Sequence, residues 1–298
     1  MRKEIEQAVA LLAEKDPQSL EHALELLQGT VFSFSMKVCG QREDAEDTMQ
    51  DVLVKSLPYL PKFDSPRALL VWLYKVAKNR CLMSRRRSKF AAKQDLSLDE
   101  LMPDRAELAR LAKEAPLNPE SLAIRSQQAR HLRSAIQKLP PQYRIILVLR
   151  DMEGLTDDEV AEITGLRPGT VRVRLHRARL FVRKELLRNA PNGGNSRTTA
   201  AHRISSAPAA EVRPRSCKAL FAQLSNYLDE QLDDSMCENL EQHLEGCEPC
   251  KAFLATLEST IEQLRSAPAE SFKKSSAAKL RRDLLAKYPA AFAGNPAK

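Results

Sequence analysis

The chain has 298 residues and a formal net charge of +8 at pH 7. This length exceeds one typical domain of about 100–200 residues, so two or three compact units are expected. Hydrophobic residues make up 43% of the chain and aromatic residues only 5%, and alternating runs of valine or isoleucine are few. The composition therefore predicts an all-α globular protein and excludes a disordered chain or a sheet protein.

The basic charge indicates a polyanionic partner, because lysine and arginine side chains that neutralise phosphates release condensed counterions. A basic surface without such a partner is also common among helical proteins. No apolar run approaches the roughly 18 residues of a membrane span, and acids interrupt the N-terminal stretch. We therefore expect a cytoplasmic protein with no membrane partner. Its six cysteines are then expected to be free thiols or metal ligands, not disulfides: Cys39, Cys81, Cys217, Cys237, Cys247 and Cys250.

Periodicity and composition divide the chain into helical blocks and connecting segments. The segment before the third block is rich in Gly, Ser, Thr and Pro and has almost no large apolar side chains, so it cannot close a core. The predicted order is a first helical domain over 1–90, a connector over 91–120, a second helical domain over 121–190, a flexible linker over 191–216, a third helical block over 217–265 and a basic tail over 266–298.

An acidic amphipathic helix is predicted at the start of the stretch DAEDTMQDVLVKSLPYLPKF, residues 44–63. Its carboxylates surround the apolar residues Ala45, Val52 and Leu53, and acids near a helix start are favoured by the helix dipole. Taken by itself, such a face is usually a solvated surface.

The stretch LVWLYKVAKNRCLMSRRRSK, residues 70–89, combines aromatic and basic side chains. We expect a helix that stops near Asn79 and a separate basic segment after it. Basic grooves and stacking aromatic rings hold single-stranded DNA, with about 1–3 kcal/mol for each stacked base. The alternative is that Trp72 and Tyr74 are partly core residues, and the sequence leaves this open.

Residues 155–187 (LTDDEVAEITGLRPGTVRVRLHRARLFVRKELL) carry the pattern of a helix-turn-helix. Thr156 and Glu159 form a capping box, which predicts a helix start. Gly165 suits the left-handed turn that ends this helix, and Pro168 suits the first turn of a second helix.

The second of these helices has two different faces. Val171, Leu175 and Ala178 recur at helical spacing and are expected to pack inward. The opposite face carries long basic side chains, which can contact phosphates and guanine edges in the major groove. The candidate DNA contacts on this face are Thr170, Arg172, Arg174, Arg177 and Arg179. The alternative is an exposed arginine-rich helix without a ligand.

Two further amphipathic helices, broken at Pro140 and Pro141, precede this motif. Together with it they make residues 131–187 resemble region 4 of the sigma factors, most closely in GTVRVRLHRAR. The resemblance implies recognition of the minus thirty-five element of a promoter. The chain departs from the family at Arg167, where sigma factors often have a serine that caps the recognition helix.

The first block resembles region 2 of extracytoplasmic-function (ECF) sigma factors, so the likeness extends over residues 20–188. DAEDTMQD is similar to the signature that docks on the largest subunit of RNA polymerase, which implies contacts by Asp47, Gln50 and Asp51. WLYKVAKN and the arginines after it are similar to the part that captures a flipped base of the minus ten element. Asn79 would lie in the capturing loop, and the implied contacts to the unpaired strand are Trp72, Lys75, Lys78, Asn79, Arg80, Arg85, Arg86 and Arg87.

The third block carries HLEGCEPC, in which His243, Cys247 and Cys250 have a spacing compatible with tetrahedral zinc. An antiparallel return of the chain could add Cys217 as a fourth ligand. Residues 217–255 resemble the zinc-binding anti-sigma domain, which implies this same set of ligands for Zn²⁺. Cys237 falls outside that set and is interpreted as a structural residue or a redox partner. The alternative is a group of packed thiols without metal.

These patterns predict a sigma factor that brings core RNA polymerase to promoter DNA and assists strand opening. No catalytic constellation is evident, so no enzymatic activity is expected. We expect the zinc block to fold back on the sigma domains and to tune them. Two alternatives remain at this level: a helix-turn-helix regulator with a zinc or redox sensor that needs no polymerase, and a thiol enzyme using Cys247 and Cys250, which lacks the usual βαβ context.

Overall fold

The structure is a computed structural model that describes residues 3–14, 16–86, 95–103, 107, 122–188, 220–268 and 272. Within these ranges every regular element is helical, which confirms the predicted all-α class. None of the helices in the described part of the chain is both long enough and apolar enough to cross a bilayer.

Twelve α-helices follow one another along the described residues, with a 3₁₀ turn at Leu60–Lys62 and a π-helical stretch at Val148–Met152. In chain order they are α1 (Lys3–Ala13), α2 (Pro17–Cys39), α3 (Arg42–Ser56), α4 (Pro66–Arg86), α5 (Leu98–Leu101), α6 (Leu122–Lys138), α7 (Pro141–Leu147), α8 (Asp157–Thr164), α9 (Pro168–Arg188), α10 (Leu224–Leu228), α11 (Asp234–Gly246) and α12 (Glu248–Arg265).

The helices form two compact units that cut across the segments predicted from the sequence. The first unit comprises Met1–Asp95, Ile136–Val171 and Arg265–Lys298, and the second comprises Leu96–Ala135 and Arg172–Leu264. The first therefore joins the first helical block to part of the second block, and the second joins most of α9 to the third block.

In the first unit, α1 to α4 enclose a core of aliphatic and aromatic side chains. Asp16 caps α2 by accepting hydrogen bonds from the backbone amides of Gln18 and Ser19, each at 3.0 Å. Gly40 ends α2 at φ +83°, a conformation that glycine adopts without steric cost. Phe34 and Tyr74 stack in this core with ring centroids 4.5 Å apart.

α4 is one continuous helix, so the predicted stop near Asn79 is wrong. Leu73, Ala77 and Cys81 are spaced four residues apart and are all buried, so the core-facing stripe continues past Asn79. No glycine or proline follows Pro66 within the helix to interrupt it. Asn79 lies on its exposed side and not in a loop.

Cys39 and Cys81 are joined by a disulfide with their Cα atoms 5.7 Å apart. The expectation that both are free thiols or metal ligands is therefore wrong. The pair lies 42 residues apart in sequence and becomes adjacent only because the end of α2 packs beside the middle of α4. Neither composition nor spacing reveals such a tertiary neighbour.

Within this unit, Glu153 of the second helical block forms hydrogen bonds to two residues of the first block. Its carboxylate accepts a hydrogen bond from Lys37 Nζ at 2.8 Å and another from the Tyr74 hydroxyl at 2.6 Å. The side chain of Glu153 is fully buried and that of Lys37 is 7% exposed. A buried carboxylate needs such partners, because it loses its hydration on folding.

Arg144 in α7 donates hydrogen bonds to backbone carbonyls at the C-terminal ends of two other helices. Its guanidinium donates to the carbonyl oxygens of Ile136, Gln137 and Leu139 at the end of α6. It also donates to the Val38 carbonyl at the end of α2, at 2.9 Å. Helix ends leave carbonyls without intrahelical partners, so this one buried side chain satisfies both ends and holds α2, α6 and α7 together.

The second unit has a core built from the second half of α9 and helices α10 to α12. Phe253, Leu257 and Ile261 of α12 form its apolar stripe, and Phe221 meets Phe253 edge to face at 4.7 Å between ring centroids. Leu180 of α9 belongs to the same cluster and is fully buried. The third block therefore covers an apolar side of α9.

Replacing Arg144 with methionine should lower the free energy of unfolding by about 3 kcal/mol. The apolar side chain leaves the buried carbonyls of two helix ends unsatisfied. Denaturant unfolding followed by circular dichroism measures the loss. Lys138→Met on the exposed side of α6 is the control and should change the free energy by less than about 0.5 kcal/mol; an equal effect of both variants contradicts the assigned role.

Candidate nucleic-acid interface and metal centre

The helix-turn-helix begins as the sequence predicts. Thr156 Oγ1 accepts a hydrogen bond from the Glu159 amide at 3.3 Å, and a Glu159 carboxylate oxygen accepts one from the Thr156 amide at 2.7 Å. Gly165 ends α8 in the left-handed conformation, with φ +71°. α9 then starts at Pro168, and the capping box, the turn and the start of the second helix are all confirmed.

The basic face of α9 is only partly open. Val171, Leu175 and Ala178 are buried as expected. The candidate contacts Thr170, Arg172, Arg174 and Arg177 are partly exposed. Arg177 also donates to the backbone carbonyl of Leu96 at 3.1 Å.

Arg179 does not lie on the exposed face, so its predicted exposure is wrong. Its side chain is fully buried, and its guanidinium binds both carboxylate oxygens of Asp229 at 2.7 and 3.0 Å. The Asp229 side chain is 4% exposed. A bidentate arginine–carboxylate pair is the strongest geometry for such a contact, and here it joins α9 to the third block.

Arg183, one turn further along α9, is buried against the same block. Its guanidinium stacks over the Phe253 ring at 3.7 Å from the centroid and donates to Thr256 Oγ1 at 2.7 Å. Burial lowers the pKa of Arg183 to about 10, opposed by the nearby carboxylate of Glu107, which raises it. The guanidinium therefore stays charged at neutral pH and is held by an aromatic face and polar partners.

His176 is the third polar side chain of α9 that faces the third block. Its Nδ1 lies 2.7 Å from the Ser225 hydroxyl, and the residue is 6% exposed. Burial, together with the positive charges of Arg179 and Arg177, lowers the pKa of His176 to about 4. The imidazole is therefore neutral at physiological pH.

Two of the three residues predicted to contact the polymerase are exposed to solvent on α3. Asp47 and Gln50 of α3 are exposed. Asp51 is partly buried and forms an ion pair with Arg80 of α4 at 2.6 Å. Because both side chains of that pair remain substantially exposed, its contribution to stability is small.

The residues of α4 that were predicted to contact the unpaired DNA strand differ in their exposure and in their neighbours. Trp72 is partly buried beside Tyr59 and Phe63, with ring centroids 5.8 and 5.9 Å away. Lys75 and Asn79 are exposed.

Lys78 donates to the Ile163 carbonyl at 2.7 Å. Burial, followed by repulsion from Lys75, lowers the pKa of Lys78. The backbone of Arg85 and Arg86 belongs to α4, their side chains fall outside the described part, and Arg87 lies outside the described residues altogether.

His243, Cys247 and Cys250 lie together at the junction of α11 and α12. Their candidate ligand atoms are all within 4.8 Å of one another, and His243 Nε2 is 3.3 Å from Cys250 Sγ. One imidazole nitrogen and two sulfurs at this separation suit three corners of a tetrahedral zinc site. The fourth predicted ligand, Cys217, lies outside the described residues.

Cys237 is not part of this group and carries a free thiol. Partial desolvation raises the pKa of Cys237, and the carboxylates of Glu241, Asp234 and Asp233 raise it further.

Three family sequence models match the chain. They are Sigma-70 region 2 over residues 24–90, Sigma-70 region 4 over residues 129–182 and a zinc-finger family over residues 217–251. The ECF RNA polymerase sigma-E factor of Escherichia coli (strain K12) is 30% identical over 140 residues, which cover 46% of this chain and 70% of that protein. The chain belongs to the ECF sigma factors.

Other relatives of this ECF sigma factor differ in how far they match. SigW of Bacillus subtilis is 26% identical over 185 residues, covering 61% of this chain and 96% of SigW. SigE of Mycolicibacterium smegmatis is 30% identical over 167 residues, covering 56% of this chain and 61% of SigE. A solved complex of the sigma factor RpoE with the anti-sigma factor NepR from Bartonella quintana overlaps 57% of this chain and 97% of that chain, at a TM-score of 0.40 and 19% identity.

Several residues of this ECF sigma factor that matter to the interface were not found from sequence. Asp229 lies in the sequence YLDEQL, within the segment that resembles the anti-sigma domain. That resemblance did not predict the pairing of Asp229 with Arg179. Ser225 and Glu153 carry no local signal at all. Their roles arise from contacts between segments that are far apart along the chain.

Replacing Asp229 with alanine should lower the free energy of unfolding of the second unit by about 3–5 kcal/mol, because Arg179 is then left as a buried, uncompensated charge. The double replacement Arg179→Met with Asp229→Leu should recover most of that loss. Denaturant unfolding of the full chain measures both variants. Asp234→Ala, on the exposed surface of α11, is the control; additive losses in the double variant rule out the coupling.

Below pH 6.5 the second unit should become less stable, because the unfolded imidazole of His176 binds a proton that the folded one rejects until about pH 4. The loss from this residue grows between pH 6.5 and 4 and reaches about 3 kcal/mol. Thermal unfolding at a series of pH values measures it. His176→Gln should show a flatter profile, whereas His22→Gln, at an exposed position, should keep the slope of the unmodified chain. Parallel profiles for all three proteins contradict the assignment.

Proposed function

We propose that this ECF sigma factor directs core RNA polymerase to specific promoters and helps to separate the DNA strands. We further propose that its C-terminal zinc block restrains it. The observation that carries the first proposal is the presence of both sigma regions in one chain, each with candidate contacts on its surface. The proposed role places the chain in the cytoplasm with the polymerase and requires no chemistry of its own.

Polymerase docking is assigned to the acidic face of α3. Asp47 and Gln50 are exposed there, and Asp51 lies one turn further on. A carboxylate-rich face attracts a basic partner and speeds the encounter. The pairing of Asp51 with Arg80 gives this face a direct electrostatic link to α4.

Promoter contacts are assigned to α4 and α9. On α4, the exposed Lys75 and Asn79 are available to an unpaired strand, and the partly buried Trp72 can offer at most one edge or face for stacking. On α9, the partly exposed Thr170, Arg172, Arg174 and Arg177 are assigned to contacts in a major groove. Arg179 becomes available to DNA only after it leaves Asp229.

A structural zinc ion is assigned to Cys217, His243, Cys247 and Cys250. Such an ion would supply folding free energy to a block that has a small core and would leave no open coordination position. The clustered His243, Cys247 and Cys250 support this assignment, and Cys250 also belongs to the apolar core of the second unit. Metal loading is thereby linked to the packing of that core.

The restraint follows from what the third block covers. Arg179 and Arg183, two cations of the recognition helix, are buried against Asp229 and Phe253. A DNA phosphate and Asp229 are alternative anionic partners for Arg179, because a guanidinium binds either in the same bidentate geometry. We infer that loosening this block releases the DNA-reading helix.

Purified core polymerase supplies the decisive test. It is incubated with a library of genomic fragments, with and without the full chain, and the transcripts are sequenced. The proposal expects new start sites that need both proteins, and expects them to be lost with Asp47→Ala and Gln50→Ala together but kept with Glu43→Ala, an exposed acid outside the assigned set. Specific DNA binding without polymerase and without new transcripts would instead favour a helix-turn-helix regulator.

Chelation of the metal should unfold residues 220–264 and increase DNA binding by α9. Structural zinc contributes on the order of 10 kcal/mol to the folding of isolated zinc-finger peptides, which is more than the small core of this block can replace. Circular dichroism and a fluorescent promoter fragment measure the two effects in parallel. Cys250→Ser should behave like the chelated protein, and Cys237→Ser should behave like the untreated one. Unchanged helix content after complete metal removal contradicts the proposal.

A further inference from the structure

The disulfide between Cys39 and Cys81 lies where three helices of the first unit meet. Cys39 is the last residue of α2, and Cys81 lies in α4. The two residues are 2% and 1% exposed. Thr48 of α3 reaches both, with its Oγ1 3.9 Å from Cys39 Sγ and 3.8 Å from Cys81 Sγ. The bond therefore ties α2 to α4 underneath α3.

The parts of α2 and α4 next to the disulfide also contact the helices of the second block. Immediately before Cys39, the Lys37 carbonyl accepts a hydrogen bond from Gln137 at 3.0 Å, and the Val38 carbonyl accepts one from Arg144. The Lys37 ammonium binds Glu153.

On α4, Lys78 is three residues before Cys81 and donates to the Ile163 carbonyl. The cross-link thus fixes the spacing of the two surfaces on which residues 136–164 rest.

We propose that Cys39 and Cys81 form a thiol–disulfide modification site that, when oxidised, stabilises the packing of residues 136–164 on α2 and α4. In the reduced chain the end of α2 is no longer joined to α4, and this packing opens more easily. The contacts that the bond supports include Glu153 with Lys37 and Tyr74, which lie in parts of the chain matched to different sigma regions.

The consequence for activity rests on the proposed function. Two promoter elements named for positions minus ten and minus thirty-five are separated by roughly 85 Å of duplex at about 3.4 Å per base pair. Regions 2 and 4 must therefore separate to reach both elements. A bond that favours their packed state opposes promoter engagement, so the oxidised chain is the less active form.

The oxidant in this proposal is hydrogen peroxide. Its O–O bond breaks as the two thiols give up two electrons and two protons; one S–S bond forms, and the two oxygen atoms leave as water. A cellular dithiol reverses the reaction by thiol–disulfide exchange and becomes a disulfide itself. Because both sulfurs are buried, oxidation and reduction each require a local opening of α2 or α4. This requirement slows the oxidation of the two thiols.

The site is separate from the cysteines of the third block. Cys247 and Cys250 cluster with His243, and Cys237 is a free thiol outside that cluster. A response to peroxide that persists when Cys39 and Cys81 are both replaced belongs instead to the four remaining cysteines, Cys217, Cys237, Cys247 and Cys250.

The first experiment determines whether the bond forms and can be reversed. The full, metal-loaded chain is reduced with a dithiol, exposed to hydrogen peroxide, and alkylated with iodoacetamide after denaturation. Peptide mass mapping is expected to find Cys39 and Cys81 alkylated in the reduced sample and linked to each other in the oxidised one. If both remain alkylated after peroxide, the proposal is overturned.

The second experiment measures the packing itself. Amide hydrogen exchange in residues 141–164 is expected to be roughly fivefold or more slower in the oxidised chain, in line with ordinary coupling between sites. Amides of α1 serve as the internal reference, and an equal change there would mean general stabilisation and overturn the proposal. Equal exchange rates in both forms would also overturn it.

Variants complete the test without dependence on transcription. Cys39→Ser with Cys81→Ser should exchange like the reduced chain under both conditions, and Cys237→Ser should respond to peroxide like the unmodified chain. If the double variant does not fold, the comparison of oxidised with reduced wild-type chain decides alone. A redox effect on exchange in a chain that drives no transcription would leave this inference intact and count against the proposed function.

Discussion

A positive charge withdrawn from water requires a partner, and this constraint shapes both units of the structure. Arg144, Arg179 and Arg183 are the largest fully buried side chains of the described residues. Arg144 donates to helix-end carbonyls, among them that of the distant Val38, and Arg179 pairs with the Asp229 carboxylate. Arg183 contacts the Phe253 ring, the Thr256 hydroxyl and the Glu107 carboxylate. In a chain with an excess of basic residues, some cations thus hold the fold together while others remain for a polyanion.

Features that depend on neighbouring residues could be read from the sequence. The capping box at Thr156, the turn at Gly165 and the helix break before Pro141 depend on contacts within a few residues, and all are present. The cluster of His243 with Cys247 and Cys250 is predictable for the same reason, since its ligands span the end of one helix and the start of the next.

Features that depend on packing could not be read in this way. A helix end was predicted near Asn79, yet α4 continues because its buried stripe of Leu73, Ala77 and Cys81 runs past that residue. The disulfide, the Glu153 contacts and the Asp229 pair each join residues from separate segments. Only their burial and distances in the folded chain reveal them.

The burial of the Arg179–Asp229 pair means that the proposed competition between Asp229 and DNA for Arg179 depends on ionic strength. Dissolved ions screen exposed charges over about 10 Å at 0.1 M but have little effect on a pair with no access to solvent. DNA binding, in contrast, weakens steeply with salt because each phosphate contact releases counterions. Under the proposed competition, a higher salt concentration therefore favours the internal carboxylate over the nucleic acid as the partner of Arg179.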